Sequence, residues 1–301
     1  MTDVAIIGGG PAALGSALYA ARSGLSVTVF EKKFIGGQAA TTHAVDNYLG
    51  FSSSPSGPDL IEMMQNHVSK FPVEFKYSAV KSLELSGDIK IINTKKSSFE
   101  AKSVILAMGA SPRSLGLPEE ERFRGSGISY CATCDGMFFK GKDVAVVGGG
   151  DTAVGDALYL SDLANKVYLI HRRDEFRASP LSVERLRALP NVELVTDAVV
   201  TELDGEGALS SVTVSARGDK RKIEVSALFV AVGIVPASDL VNGALRLDDS
   251  GFIITDEKMA TNIPGVFAAG DIRQKPLRQI VTAVSDGAVA ATAAAEYIKL
   301  R

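Results

Sequence analysis

The sequence predicts an α/β protein of two three-layer domains, one inserted in the other, and three observations predict it. First, Asp3-Val-Ala-Ile-Ile-Gly-Gly-Gly-Pro-Ala-Ala13 returns 140 residues later as Asp143-Val-Ala-Val-Val-Gly-Gly-Gly-Asp-Thr-Ala153. Each copy is a short apolar strand running into a Gly-x-Gly-x-x-Ala turn and a helix-like stretch, the order of a dinucleotide-binding βαβ unit. Second, both copies lead on to a strand that ends in glycine, Val104-Ile-Leu-Ala-Met-Gly109 and Leu228-Phe-Val-Ala-Val-Gly233, so the repeat covers a domain. Third, the C-terminal stretch does not fit the second copy. It holds another strand, Gly265-Val-Phe-Ala-Ala-Gly-Asp271, and a long helix, whereas the first copy ends near Pro112 without a closing helix. The economical arrangement is two Rossmann-like domains, with residues 1–113 and 244–301 forming one and residues 114–243 inserted as the other.

Local patterns support each element. Leu14 to Arg22 reads as a helix, Leu25 to Phe30 as a strand ending at Glu31, and Asp59 to Lys70 as a second helix. Between them, Phe34 to Phe51 is loop rich in Gly, Thr and Asn. From Val73 to Ala107 apolar and polar residues alternate in short pieces, as strands do. The second copy repeats the order: strand Val144 to Val147, helix Thr152 to Asp162, strand Lys166 to Ile170, then short strands between Val192 and Val225.

Composition bounds the function. The chain has 301 residues, 46% hydrophobic and 22% charged, with a net charge of -3. That length suits two globular domains, and that charge gives no reason to expect nucleic acid or an anionic membrane as partner. A strand begins almost at once after Met1, so no signal peptide is expected. No apolar run approaches the about 20 residues that span a bilayer, and Ala288 to Ala295 reads as a packed helix. Two cysteines do not make a stapled secreted scaffold, which leaves the cytoplasm as the default.

In each glycine turn the backbone can approach a pyrophosphate seated on the helix N-terminus. The first turn supplies Gly8, Gly10, Pro11 and Ala12, and the second supplies Gly148, Gly150, Asp151 and Thr152. Glu31 stands 21 residues after Gly10, where a carboxylate accepts from ribose hydroxyls, so the first ligand is FAD or NAD and not NADP. The same spacing from Gly150 falls on His171, followed by Arg172, Arg173 and Arg177. Three guanidiniums there match a 2′-phosphate, so the second site is expected to take NADPH.

The only cysteines form Cys131-Ala-Thr-Cys134. Structural zinc needs four ligands, and His43, His67 and His171 are scattered, so no metal is expected. A redox pair is the favoured reading beside a βαβ unit. Asp135 is left between two roles, a proton shuttle for a thiol or a turn-former before Gly136. Electrons passing from NADPH to a dithiol need a carrier, and flavin provides one, so the first site is expected to hold FAD. Gly270-Asp271 and Arg278-Gln279 are candidate further contacts to it, and Gly109 closes the strand beside the first turn. Glu119-Glu-Glu121 reads as solvated loop.

These motifs, with Gly36-Gly-Gln38, His171-Arg-Arg-Asp-Glu-Phe-Arg177 and Leu277-Arg-Gln-Ile280, resemble the low-molecular-weight thioredoxin reductases of bacteria and archaea along essentially the whole chain. The resemblance implies a homodimer that holds FAD and uses NADPH to reduce thioredoxin. It implies that Cys131 attacks the partner disulfide, that Cys134 resolves it beside the flavin, and that Asp135 carries the proton. It also implies that Glu31, Lys32, Gly36, Gly37, Gln38, Asn47, Val80, Asp271, Arg278, Gln279 and Ile280 contribute to the FAD site. The dithiol and the NADPH site share one domain, so the inserted domain is expected to swing on connections near 113 and 243. Two departures stand out: Met108 where the family has threonine, and Gly155 where it has an acidic residue, leaving Asp156 alone. The competing readings are a same-fold flavin oxidase or reductase acting on another thiol, and a non-catalytic NADPH-binding flavoprotein sensor.

Overall fold

Val4 to Ile7 are buried without a break, the pattern of a parallel strand covered on both faces, and they form the last four residues of strand β1 (Thr2–Ile7). The computed structural model describes residues 1–42, 44–216 and 218–301. From β1 the chain runs through α1 (Pro11–Arg22), β2 (Val27–Glu31), α2 (Gly57–Val68), β3 (Val73–Tyr77), β4 (Val80–Glu84), β5 (Lys90–Thr94), β6 (Ser98–Leu106) and β7 (Ala110–Pro112). Next come β8 (Ile128–Ser129), α3 (Ala132–Asp135), β9 (Asp143–Val147), α4 (Asp151–Ser161), β10 (Lys166–Ile170), α5 (Pro180–Arg187) and β11 (Val192–Val195). The chain continues through β12 (Ala198–Asp204), β13 (Ser211–Ala216), β14 (Asp219–Glu224), β15 (Ala227–Val230) and β16 (Ile234–Pro236), then β17 (Val266–Ala268) and α6 (Ile280–Lys299).

Two units result: Met1–Ser111 with Val235–Arg301, and Pro112–Ile234. The second crossing therefore falls at 234/235, earlier than the 243/244 read from the sequence. The physical reason is burial: Val241 and Leu245 pack with Ala5, Ile7 and Leu106 in the first unit's core. β7 and β16, at the two crossings, pair with each other as a two-stranded ribbon.

In the first unit the sheet order is β3-β2-β1-β6-β5-β4, with β17 pairing β6 in parallel. Helices α1 and α6 cover one face. They approach so closely that a Cβ on Gly15 would stand 2.8 Å from the Val284 carbonyl oxygen, and one on Gly287 would collide with that of Ala12. In the second unit β11-β10-β9-β15-β8 form a wholly parallel sheet. Alternation sorts its faces. Val144, Val146, Val167 and Leu169 pack with α4 and α5 residues, whereas Ala145, Val147, Tyr168 and Ile170 pack with residues of β12 to β14, which form an antiparallel three-stranded sheet.

Candidate active site

The three glycines of each turn have separate jobs, repeated between the units. A Cβ on Gly8, at φ 112°, would collide with the Ala107 carbonyl just after β6; one on Gly148, at φ 154°, would collide with that of Ala231 after β15. The middle glycine makes room for the residue that ends the second strand. A Cβ on Gly9 would stand 2.9 Å from the Glu31 carboxylate, and one on Gly149 would enter the His171 ring. The third glycine, Gly10 or Gly150, caps α1 or α4 with no side-chain hydrogen bond and has open space over its Cα. A helix N-terminus whose amides take no side-chain cap, with no Cβ in the way, can cradle an anion. Pro11 and Ala12 open α1, as Asp151 and Thr152 open α4.

His171 packs rather than projects. It is buried, stacked on Phe176 at 5.1 Å between ring centroids, and its Nε2–H donates to the Glu175 carbonyl at 3.1 Å. Burial, reinforced by Arg177, Arg172 and Arg173, outweighs the Glu175 contact and holds its pKa below the usual histidine value. Arg172, Arg173 and Arg177 are exposed on the loop that His171 closes. The Arg177 amide donates to the Gly149 carbonyl at 2.7 Å, and Asp151 accepts from the Ser179 amide at 2.9 Å, so Asp151 braces the same loop.

In the first unit, Glu31 accepts from the Lys33 amide at 2.9 Å, and Lys32 is exposed. The Gly36 amide donates to the Gly9 carbonyl at 2.7 Å, bringing Gly37 beneath Gly10. Gln38 donates to the Ala110 carbonyl, and Asn47 donates to Gln279 at 3.1 Å. Gly109, at φ 69°, accepts from the Ala237 amide at 3.0 Å, while Val80 starts β4 opposite Thr94. Gly270, at φ 79°, donates to Asp286 of α6 at 3.1 Å. That buried carboxylate also takes Lys275 at 2.7 Å and Arg273 at 3.4 Å. Arg278 lies 4.1 Å above the Phe252 ring, next to Gln279, which caps α6, and Ile280, which begins it.

Cys131 and Cys134 are joined in a disulfide with Cα atoms 5.2 Å apart. β8 delivers them: Ile128 and Ser129 pair with Leu228 and Phe229 of β15, and Cys131 then caps the single turn α3. The amides of Cys134 and Asp135 both donate to the Cys131 carbonyl, at 3.2 and 3.1 Å. Asp135 accepts from the Ser129 hydroxyl at 2.6 Å.

The family model for pyridine nucleotide-disulphide oxidoreductases matches residues 2–287. A thioredoxin reductase of Peptoclostridium acidaminophilum is 45% identical over 305 residues, covering 99% of this chain and 97% of its own. One from Mycolicibacterium smegmatis is 41% identical, covering 98% and 96%. The crystal structure of thioredoxin reductase from Streptococcus pyogenes is 44% identical, covers 100% of this chain and 99% of its own, and superposes with a TM-score of 0.95. The chain belongs to the low-molecular-weight thioredoxin reductases of this family.

Membership implies a flavin, NAD(P)H and thioredoxin, and the residues present fit a flavin dinucleotide. Among the described residues, Asp271 Oδ1 and Arg278 Nε are buried with no hydrogen-bond partner, and such atoms call for one. Burial pushes the Asp271 carboxyl up, against the pull of Lys275 and Arg278. Among the described residues no metal-ligand cluster occurs and no helix is long and apolar enough to cross a membrane; His43 lies outside them.

Sequence reasoning passed over four functional neighbours. Glu120, read as solvated loop, is buried. It accepts from the amides of Leu115 and Gly116, each at 2.9 Å, and from the Tyr130 hydroxyl at 2.7 Å, so it anchors the residue before Cys131. Ser129, Lys275 and Asp286 were the others. Ser129 beside Ile128 in β8 and Asp286 on the packed side of α6 carry one signal, a polar residue in an apolar register, and Lys275, between Gln274 and Pro276, carries none.

Proposed function

We propose that this thioredoxin reductase draws its electrons from NADPH and delivers them to thioredoxin through the Cys131–Cys134 pair. The observation that carries the reading is a formed disulfide in the same unit as a glycine turn flanked by three exposed arginines. Bound FAD would supply two-electron transfer between a nicotinamide and a disulfide. Arg172, Arg173 and Arg177 hold the 2′-phosphate and Gly148 to Thr152 the pyrophosphate. Glu31, Gly36 to Gln38, Asn47, Asp271 and Arg278 to Ile280 hold the flavin dinucleotide.

In the reduced state Cys131 thiolate attacks one sulfur of the partner disulfide, forming a mixed disulfide and releasing one partner thiolate. Cys134 thiolate then attacks Cys131 Sγ, restoring the internal disulfide and releasing the second. Asp135 carries a proton from the Cys134 thiol towards a leaving thiolate. The paired strands β7 and β16 serve as the hinge on which the inserted unit turns between its two tasks. The reading includes a cytoplasmic location and a homodimer; sedimentation of the purified protein tests the second.

The deciding experiment is NADPH oxidation in the presence of oxidised thioredoxin, with an NADH control and a Cys134→Ser variant. Rapid NADPH-dependent turnover that the variant loses is expected. Flavin bleaching without thioredoxin reduction points to another thiol substrate. Failure of NADPH to bleach the flavin removes the arginine argument.

A further inference from the structure

Ser129 ends β8 and is 5% exposed. Its oxygen accepts from the Cys131 amide at 3.1 Å. Its one hydrogen has two acceptors within reach, Asp135 Oδ2 at 2.6 Å and the Cys131 carbonyl at 3.3 Å. A serine hydroxyl offers one donor and two acceptor lone pairs, so both cannot be served fully at once.

The protonation state of Asp135 decides between them. An ionised carboxylate takes the hydrogen, because a charge-assisted bond is the shorter and stronger. A protonated Asp135 becomes the donor. Ser129 then accepts from Asp135 and from the Cys131 amide, and its own hydrogen turns to the Cys131 carbonyl, shared with the amides of Cys134 and Asp135. No atom has to move by more than a hydroxyl rotation.

We propose that Ser129 is a positioning residue for thiol–disulfide exchange: a hydroxyl rotor that ties Asp135 to the Cys131 backbone in both of its protonation states. The inference rests on Asp135 being the proton carrier. In the exchange the enzyme's two thiols lose two electrons and two protons as their S–S bond forms. The partner's S–S bond breaks, and its two sulfurs gain both. Asp135 alternates between the carboxylate that receives the Cys134 proton and the acid that gives it up. Ser129 holds its side chain in place through each half of the cycle.

The test compares Ser129→Ala and Ser129→Thr, each in the natural sequence and in an Asp135→Asn background. The flavin-loaded protein is reduced with dithiothreitol, freed of reductant, mixed with oxidised thioredoxin and quenched with an alkylating reagent. The chain has 2 cysteines, so the alkyl groups it acquires read dithiol, mixed disulfide or disulfide directly. Ser129→Ala is expected to slow exchange about tenfold, as loss of a hydrogen bond to a charged group does. Ser129→Thr keeps the hydroxyl and stays within about threefold of the natural rate. In the Asp135→Asn background Ser129→Ala adds less than about twofold. An equal slowing in both backgrounds, or no slowing in either, overturns the proposal while leaving Asp135 its role. If Asp135→Asn alone leaves exchange unchanged, the role of Asp135 fails and the rotor fails with it.

Discussion

Gly149 and His171 occupy one space: a methyl group on Gly149 would enter the imidazole ring. The neighbouring Gly150 has nothing within 4 Å of the same point. Gly149→Ala is therefore expected to lower stability by about 1–3 kcal/mol, the usual cost of overpacking, and to weaken NADPH binding by displacing the arginine loop. Gly150→Ala should weaken binding while leaving the melting temperature within about 2 °C. Calorimetry and NADPH titration of both variants separate the two roles.

The proposed role of Arg173 and Arg177 at a 2′-phosphate separates the two nucleotides. Arg173→Ala or Arg177→Ala is expected to raise the KM for NADPH about tenfold or more and to leave that for NADH within about twofold. Steady-state kinetics with both nucleotides at one ionic strength checks it. A parallel rise for both would place the guanidiniums away from the 2′-phosphate.

Asp286 neutralises Lys275, whose side chain is only 5% exposed, and fixes the Gly270 amide. Asp286→Asn strands that buried charge. The expected loss is about 3–5 kcal/mol of stability, with weakened retention of FAD. Thermal unfolding and flavin absorbance after dialysis report both, and Lys275→Met in the Asp286→Asn protein should recover part of the stability.

Tyr130 sets an alkaline limit. Burial, and then its bond to Glu120, raise the phenol well above its ordinary value of 10.0. In the unfolded chain the phenol ionises near 10, whereas in the native protein it stays neutral further up. Its contribution to stability is thus complete below about pH 10 and is lost as pH climbs from there through the native value. Denaturation at pH 8 to 11 should show the natural protein losing stability more steeply than Tyr130→Phe.

Gly155 faces open space in the middle of α4. Gly155→Ala is expected to add about 1 kcal/mol, by removing backbone freedom from the unfolded chain. A rise in the unfolding midpoint of the second unit is the readout.

Much of this architecture was legible because its signals are local. The glycine turns, the strand-ending glycines and the Cys-x-x-Cys pair each need only a few adjacent residues to be recognised. α1 was placed within three residues, from Leu14 against Pro11, because Pro11 reads equally as turn and as helix start. Ser129, Glu120 and Asp286 escaped notice because their meaning lies in partners brought by folding: a backbone amide, a phenol and a buried lysine. Spacing finds His171 but not the direction of its ring. Register says where a side chain begins, and only Gly149 and Phe176 say where it goes.

The close seat of α6 on α1 also orders events during synthesis. The first unit cannot cover α1 with α6, or complete β6 with β17, until those C-terminal elements have left the ribosome. The inserted unit is one continuous segment and has all its strands some seventy residues earlier. Nascent chains should therefore carry a folded, nucleotide-competent middle while their N-terminal third waits, apolar and unfinished, for its C-terminal helix.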